Sequence, residues 1–499
     1  MKTTPPVIRA VPPLGRAPSS RERLAFNFGP GTVPGKGVVD AALAADEAPT
    51  FATAPYAEPR DWGYIGLLAF TAVLMMRPQD QIPGLSSLHL AELCAAIGIA
   101  PMLLHRFARR LPVFRVTPET MGLVVFGLVI IGTAPFSIWP GGVIQVFVDS
   151  YVKILLVFVL MMNTLTTPKR LEQITGLIVL CSGYICVLAV ANYARGVNLV
   201  ENGRLAGPVS GMFGNPNDLA LNMVALMPLA TALAMRAATT LRRVAAIGCA
   251  LLMMGAVVVS QSRSGTIGLG VMILILGAGI ARRRPAIAAA GVLALMFALP
   301  LMPSSYWHRL SSITDQSADE TGSREARRIL LRESFQAFLE HPITGVGAGQ
   351  FKNYNPEGRQ EAWRESHNVV LQVAAELGIV GLATFGFLVV RAATSGSRTR
   401  RLLKRARGQA ARRDNSVSAD AVITPEEAEW LRSHTTAMTA ALAGWFFCAL
   451  FASVAYNWTF YYLLALAIAP GEFLVDRLGS ARKRSSPQRT VELQAVRAW

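Results

Sequence analysis

The most informative stretch of this chain is HNVVLQVAAELGIVGL, residues 367–382. A titratable histidine, His367, and an asparagine, Asn368, precede an apolar run that is typical of a helix entering a bilayer. Gly378 and Gly381 follow one turn apart along that helix. The pattern predicts a side chain that can accept a proton at the mouth of a membrane helix, close to the water surface.

Apolar runs of this kind recur along most of the chain. Of its 499 residues, 52% are hydrophobic and 16% are charged, whereas a soluble domain has about 25% charged residues. We count about twelve runs that are long enough to cross a bilayer, at residues 62–76, 89–105, 120–139, 143–163, 172–193, 218–236, 244–261, 265–281, 286–302, 368–390, 435–455 and 457–475. Since only helices satisfy their own backbone in lipid at this hydropathy, the predicted fold is all-α, a polytopic transmembrane helical bundle.

The basic residues indicate how these spans are oriented. They fall in every second connecting loop, at 106–115, 169–170, 242–243, 282–284 and 391–413, and again in the tail at 482–484. The positive-inside rule then predicts that both termini are cytoplasmic. Despite the net charge of +17, we expect no nucleic-acid partner. An RNA-binding patch at 398–413 remains an alternative, but attraction to anionic membrane lipids explains the charge more simply.

This topology divides the chain into segments. We expect residues 1–60, which contain few large apolar residues, to be a disordered cytoplasmic segment without a cleavable signal peptide. The membrane domain would span 61–475, with a basic cytoplasmic loop at 391–433 and a basic cytoplasmic tail at 476–499. A short helix is predicted to start near Thr424.

The longest outer loop, 303–366, is predicted to contain an amphipathic helix from Arg324 to Leu339. Its apolar face would be formed by Leu331, Phe335 and Leu339, which recur every four residues, as expected for one face of a helix. A long loop with its own helix is usually functional.

The five cysteines all lie in apolar runs, and none forms a CxxC pair or lies at ligand spacing from a histidine. We therefore expect neither disulfides nor a metal site. The motifs HExxH and GxSxG are absent from the sequence, and nothing in it indicates a P-loop.

Arginines on the outer side are candidate anion ligands. Arg263, in SQSRSG, lies between two spans, and its planar guanidinium suits phosphate oxygens; alternatively, it only ends a helix at the interface. The outer-loop helix carries four arginines against the positive-inside bias, namely Arg324, Arg327, Arg328 and Arg332. Here the alternative is a solvated helix face paired with nearby glutamates.

His367 is the candidate general base, because its ordinary pKa lets it accept a proton at neutral pH. The alternative is a histidine that only bonds backbone or water at a helix start. Ser366 is the better N-cap residue, so capping alone does not account for His367. Outward-facing arginines with one histidine suit a lipid-linked pyrophosphate donor, and guanidinium groups could neutralise its leaving group without a metal or other cofactor.

Four motifs in order resemble the O-antigen ligase and polymerase superfamily of bacterial membrane glycosyltransferases. They are GMFGNPNDLA (211–220), SQSRSG (260–265), Arg327-x-x-x-Leu331 with EHPITGVGAGQF (340–351), and His367-Asn368 followed after nine residues by Gly378-x-x-Gly381. In addition, RPQD (77–80) is similar to a subgroup associated with exopolysaccharide and protein-sorting loci. The resemblance is clearest over residues 200–390.

The resemblance implies an enzyme of the bacterial inner membrane that takes a glycan from undecaprenyl pyrophosphate at the periplasmic face. It implies that His367 is the base and that Arg263 and Arg327 contact the pyrophosphate. Asn215 and Asn217 would shape the site. Arg324 and Asn368 are further candidate substrate contacts.

Three functions remain open at this stage. The first is ligase-type transfer of the glycan to lipid A core (lipopolysaccharide), to a protein hydroxyl or to another glycan. The second is a polymerase on the same fold. Leu382 stands where the ligase motif prefers a small residue or tyrosine, which weakens the case for lipid A core. The third, a transporter or flippase, is less favoured because the notable charges lie at the outer rim rather than at the midplane.

Overall fold

The computed structural model describes residues 61–200, 203–302, 304–311, 323–356, 359–360, 363–412 and 423–485. The predicted segment 1–60 and the tail beyond residue 485 lie outside these ranges. The α-helices are α1 (Trp62–Met76), α2 (Pro78–Gln81), α3 (Leu90–Ala108), α4 (Pro118–Gly132), α5 (Pro140–Val146), α6 (Val152–Thr164), α7 (Pro168–Ala194), α8 (Pro216–Arg236), α9 (Thr240–Ser260), α10 (Arg263–Ala281), α11 (Pro285–Ala298), α12 (Ser304–Ser311), α13 (Ser323–Glu340), α14 (Val369–Arg412), α15 (Pro425–Ala449) and α16 (Trp458–Ser485).

Short elements complete the described fold. Four 3₁₀-helices lie at Leu85–Leu88, Ala134–Phe136, Gly211–Phe213 and Leu299–Leu301, and a π-helical turn, Phe147–Tyr151, joins α5 to α6. Strands β1 (Leu199–Val200) and β2 (Arg204–Leu205) form an antiparallel hairpin. This hairpin is the one departure from the predicted all-α fold among the described residues.

The described helices are those of a polytopic membrane protein. Nine segments are long and apolar enough to cross a bilayer: Leu85–Ala108, Pro118–Phe136, Pro140–Thr164, Pro168–Ala194, Pro216–Arg236, Thr240–Ser260, Arg263–Ala281, Val369–Gly408 and Trp458–Ser480. The other three predicted runs coincide largely with α1, α11 and α15, which do not meet the same length and apolarity. The count of about twelve spans therefore stays a prediction.

Several helices begin with the sequence Thr-Pro, for a physical reason. Proline at the first helical position needs no hydrogen-bond acceptor, and the preceding threonine can cap the first turn. Thr117 accepts from the backbone N–H of Thr120 in α4, and Thr424 forms a capping box with Glu427 in α15. The predicted helix start at Thr424 is confirmed, although this helix runs on for 25 residues.

The segment 391–433, predicted to be a loop, is helical over most of its described residues, and its cytoplasmic location stays a prediction. Helix α14 continues from Val369 to Arg412, and α15 begins at Pro425. The segment after Arg391 is rich in arginine and alanine, which are good helix formers, and contains no proline before Pro425. The buried side chains of Leu403 and Ala406 show that this extension packs against the bundle.

The centre of the bundle is formed by α8 and α16, whose membrane segments are the most deeply buried. Helix α8 packs against α7, α9, α10 and α15, while α14 packs against α4, α13, α15 and α16. Small residues allow close helix approach, as expected in membranes: a Cβ at Gly265 of α10 would lie only 2.5 Å from the Cβ of Ala220 in α8. This contact fixes the spacing of two helices that begin at the candidate site.

The helix predicted from Arg324 to Leu339 is confirmed as α13, but its buried face differs from the prediction. Leu331, Phe335 and Leu339 are exposed, whereas the helix packs through Leu330, Ser334 and Ala337. The small side chains on the packed face allow a close approach to Ala375 of α14 and to the segment that follows α13. The stripe of Leu331, Phe335 and Leu339 is therefore an unburied apolar face on a polar helix.

Candidate active site

The helix that follows His367 is broken at Gly378. This glycine has φ 63° and ψ −162°, a conformation essentially restricted to glycine, so Gly378 and Gly381 do not lie on one continuous helix as predicted. The segment after α13 fills the break. The N–H groups of Val346 and Gly347 donate to the carbonyls of Ala375 and Glu376, at 2.9 and 3.0 Å.

The two glycine motifs, HPITGVG at 341–347 and Gly378-x-x-Gly381, thus contact each other. The Ile379 N–H donates to the Pro342 carbonyl at 2.8 Å, and a Cβ at Gly378 would lie 2.3 Å from the carbonyl oxygen of Ile343. A Cβ at Gly345 would likewise lie 2.2 Å from the carbonyl carbon of Glu376. Because this segment directly follows α13, the contact fixes Arg327 on α13 relative to the start of α14.

His367 is held in a conformation that is uncommon for a residue other than glycine. Its φ is 49°, and such backbone strain tends to persist where a side chain must point in a particular direction. The backbone N–H of His367 donates to Ser453 Oγ at 3.0 Å. The loop between α15 and α16 therefore helps to fix the imidazole.

Asn368, rather than Ser366, caps α14. Its Oδ1 accepts from the N–H groups of Val370 and Leu371 at 2.9 and 3.0 Å, and its Nδ2 donates to the carbonyl of Leu450 at 3.0 Å. The Ser366 hydroxyl instead donates to the Asn368 carbonyl. This geometry favours a structural role for Asn368 over the predicted substrate contact.

The surroundings of His367 keep its imidazole neutral. Burial lowers its pKa below the usual 6.5, and the positive charges of Arg327 and Arg364 lower it further. Two guanidinium groups therefore lie within electrostatic range of an imidazole that is available to accept a proton at neutral pH. Arg324 lies in the first turn of α13, but its side chain lies outside the described residues.

A second group of polar residues surrounds the start of α8. The Asn215 side chain accepts from the N–H groups of Asn217 and Asp218 and caps the helix. Asn217 Oδ1 accepts from Arg204 of β2 at 2.9 Å and from the Ser262 hydroxyl at 2.8 Å. Asn215 thus shapes the backbone, while Asn217 joins the hairpin to the turn that precedes Arg263.

These two groups of residues lie close to each other. Asp218, in the first turn of α8, is within electrostatic range of Glu365, which lies two residues before His367. The amino termini of α8, α10 and α14 therefore meet at one end of the bundle. Their partial positive charges and the neighbouring arginines favour an anion there, in the manner of helix-terminus phosphate sites.

The RPQD motif lies at the same end of the bundle. Arg77 pairs with Asp80 at 2.6 Å, and Asp80 Oδ2 accepts from the N–H of Ser210 at 3.0 Å. Gly211 lies against the Arg77 guanidinium, since a Cβ there would be 2.6 Å from it. RPQD therefore anchors the segment that leads into α8 and Asn215.

Three residues at this site were missed by the sequence analysis. Arg364 was open to prediction, since it lies only three residues before His367. Arg204 lies in the link before α8, where a lone arginine gives little signal, and Ser453 gives none. Among the described residues, no group of three or more His, Cys, Asp or Glu side chains is arranged to hold a metal ion.

The comparison with protein families bears directly on this end of the bundle. Residues 248–386 match the family model for O-antigen ligase. The predicted resemblance to the O-antigen ligase family is confirmed over this segment. It includes Arg263, Arg327, His367 and both glycine motifs, whereas Asn215 and Asn217 precede it. The match supports an O-antigen ligase- or polymerase-type membrane function. No curated protein sequence matches the chain.

Proposed function

We propose that this protein transfers a glycan from an undecaprenyl-pyrophosphate donor to an acceptor hydroxyl on lipid A core, a protein or another glycan. His367 is the base, and Arg263 and Arg327 hold the pyrophosphate. The observation that carries the proposal is the partly buried imidazole of His367, whose pKa is lowered by burial and by the charges of Arg327 and Arg364. Within one site, the imidazole can accept a proton while the guanidinium groups bind an anion.

The reaction assigns a separate task to each group. His367 accepts the proton of the acceptor hydroxyl as its oxygen forms a bond to the anomeric carbon of the donor. The bond from that carbon to the pyrophosphate oxygen breaks, and the lipid pyrophosphate departs with the electron pair. Arginine forks and helix amino termini stabilise the negative charge that develops on the departing group.

The exposed apolar face of α13 is a further argument that the glycan donor is held in the membrane. Leu331, Phe335 and Leu339 project from a helix that otherwise carries arginine and glutamate. A helix of this kind rests in the bilayer interface with its apolar side toward the acyl chains. Arg327, on the same helix, would then lie at the depth of a lipid-linked pyrophosphate.

The proposal also includes an orientation in the bacterial inner membrane. The positive-inside rule favours a cytoplasmic location for the basic ends of α3, α9 and α14, which would place His367 at the periplasmic face. An activity reporter that works only in the periplasm, fused after Gln316, should be active. An inactive fusion at that position, together with an active fusion after Arg412, would show that the protein has the opposite orientation.

A purified-component assay tests the function. The protein is incubated with an undecaprenyl-pyrophosphate glycan and, in separate reactions, with lipid A core, a hydroxyl-bearing protein and a free glycan. We expect one acceptor to gain the glycan with wild-type protein and none with His367→Ala. Longer donor chains as the main product would identify the alternative, a polymerase using the same base. Unchanged turnover in His367→Ala would refute the assignment of the base.

A further inference from the structure

A second polar cavity lies far from His367, between α4, α14 and α16. Its volume is about 70 Å³, and its lining includes Glu119, Thr394, Ser395 and three arginines: Arg391, Arg398 and Arg401. The cavity is larger than the space that one water molecule needs. The reaction proposed above uses none of its residues.

The cavity lies at the membrane boundary opposite to His367. At about 1.5 Å per residue, Arg391 is about 33 Å along α14 from its first residue, Val369. This distance is close to the ~30 Å thickness of the hydrocarbon core. A group that enters the cavity would therefore sit at the level of the phospholipid headgroups of the other leaflet.

The cavity contains a guanidinium group that can bind an anion and a carboxylate oxygen that needs a hydrogen-bond donor. Arg391 Nε donates to Glu119 Oε1 at 2.7 Å, and Arg398 pairs with Glu472 at 2.8 Å, whereas Arg401 has no ion-pair partner among the described residues. Glu119 is 1% exposed, and its Oε2 receives no hydrogen bond from any described residue. Such an orphaned buried carboxylate oxygen is costly and requires a donor.

The surface beside the cavity fits acyl chains. Phe387 and Val390 of α14 and Met121 and Val125 of α4 are each more than a third exposed on the lateral face of the bundle. The two helices touch there, because a Cβ at Gly122 would lie 2.8 Å from the ring of Phe387. These side chains lie on the hydrocarbon side of the arginines, so they continue the site into the membrane.

We propose that this cavity binds the headgroup of a membrane phospholipid whose alcohol carries a hydrogen-bond donor. The phosphodiester contacts Arg401 and the hydroxyl groups, and the ethanolamine ammonium or glycerol hydroxyl donates to Glu119 Oε2. The acyl chains lie along Phe387 and Val390. Phosphatidylethanolamine and phosphatidylglycerol share this chemistry, whereas phosphatidylcholine supplies no such donor.

Lipid binding to the full-length protein tests this site. The protein in detergent is titrated with dioleoyl phosphatidylethanolamine, phosphatidylglycerol or phosphatidylcholine, or with inorganic phosphate, and bound lipid is counted by native mass spectrometry. We expect one lipid of the first two kinds to be retained in preference to phosphatidylcholine. Arg401→Gln should weaken that retention about tenfold, the value of one charge-assisted hydrogen bond.

Arg400→Gln is the matched control, because Arg400 is the exposed neighbour of Arg401 and does not line the cavity. Preferential retention of either donor-bearing lipid by the wild type, weakened in Arg401→Gln and kept in Arg400→Gln, supports the site and identifies its ligand. Equal retention of phosphatidylcholine, equal weakening in both variants, or full competition by inorganic phosphate would each overturn it. The melting temperature of the lipid-free variants checks that both remain folded.

Discussion

The two ends of the helical bundle use arginine in different ways. At the end opposite to His367, arginines face carboxylates: Arg115 pairs with Glu472 and Asp476, and Arg477 pairs with Glu427. At the His367 end, Arg77 does pair with Asp80, but Arg327 and Arg364 lie within electrostatic range of the His367 imidazole, and Arg204 donates to the amide oxygen of Asn217. Arginines at the first end therefore hold helices together through ion pairs, whereas those at the second end surround the candidate base.

This difference separates arginines that join helices from arginines that are placed for a ligand. Arg115 and Arg398 both contact Glu472 and so tie α16 to α14 and to the segment before α4. Arg327 and Arg263 instead lie on elements whose positions are set by backbone contacts and helix caps. Substitutions at the two ends should therefore affect different properties.

Among the variants that compare the two ends, the largest effect should come from Arg327→Gln. Loss of one guanidinium beside the leaving group should lower kcat/KM for glycan transfer about a hundredfold, while the melting temperature stays near that of the wild type. Arg328→Gln, at the exposed neighbouring position of α13, is the control and should retain most activity. Equal losses in the two variants would mean that α13 contributes only diffuse positive charge.

The second-largest effect should come from a substitution at Gly378, where α14 is broken. Gly378→Ala places a side chain at a φ of 63° and against the Ile343 carbonyl, which should lower the free energy of unfolding by about 1–3 kcal/mol and reduce transfer by displacing α13. Gly386→Ala, at a helical position with open space around it, should be neutral. Thermal unfolding of the two variants compares them directly. An unchanged melting temperature in Gly378→Ala would contradict the contact between the two glycine motifs.

A smaller effect is expected in the pH dependence. Transfer requires neutral His367, whose pKa lies below 6.5, so activity should persist at pH 6.5 and fall as the pH drops through that lower pKa. Arg364→Gln removes one of the positive charges that lower the pKa, and the acid limb should move to higher pH. The measurement is kcat/KM against pH for both proteins. A shift to lower pH would contradict the proposed electrostatics of the site.

The smallest effect should come from the opposite end. Arg115→Gln removes ion pairs with Glu472 and Asp476, and such pairs near the protein surface are worth about 1 kcal/mol or less. We expect a small drop in melting temperature and unchanged glycan transfer. Transfer lost as completely as in Arg327→Gln would mean that the two ends of the bundle do not have separate tasks.

Much of this molecule could be predicted from local patterns. Long apolar runs indicate membrane helices because lipid leaves the backbone no other partner, and the order of the motifs indicated the family. The contact between the HPITGVG segment and the break at Gly378 could not be predicted. It depends on backbone groups that are about thirty residues apart and that meet only after folding.

The errors have physical causes as well. The periodic Leu331, Phe335 and Leu339 were assigned to a buried face, but α13 packs through Ser334 and Ala337, because small side chains allow closer backbone approach. The charged segment after Arg391 was assigned to a loop because charge suggested solvent. Arg391 and Arg398 instead pair with carboxylates on neighbouring helices, and the segment remains helical.

The central claim is that His367 acts as the base, whereas the arginines hold the pyrophosphate and stabilise the charge that develops on it. It is tested most directly by measuring, for His367→Gln, both the affinity for an undecaprenyl-pyrophosphate glycan and the single-turnover rate of transfer, with His105→Gln as the control at an exposed position. The account predicts donor affinity within a few-fold of the wild type and a transfer rate lower by about 10²–10⁴. A transfer rate equal to that of His105→Gln would contradict it.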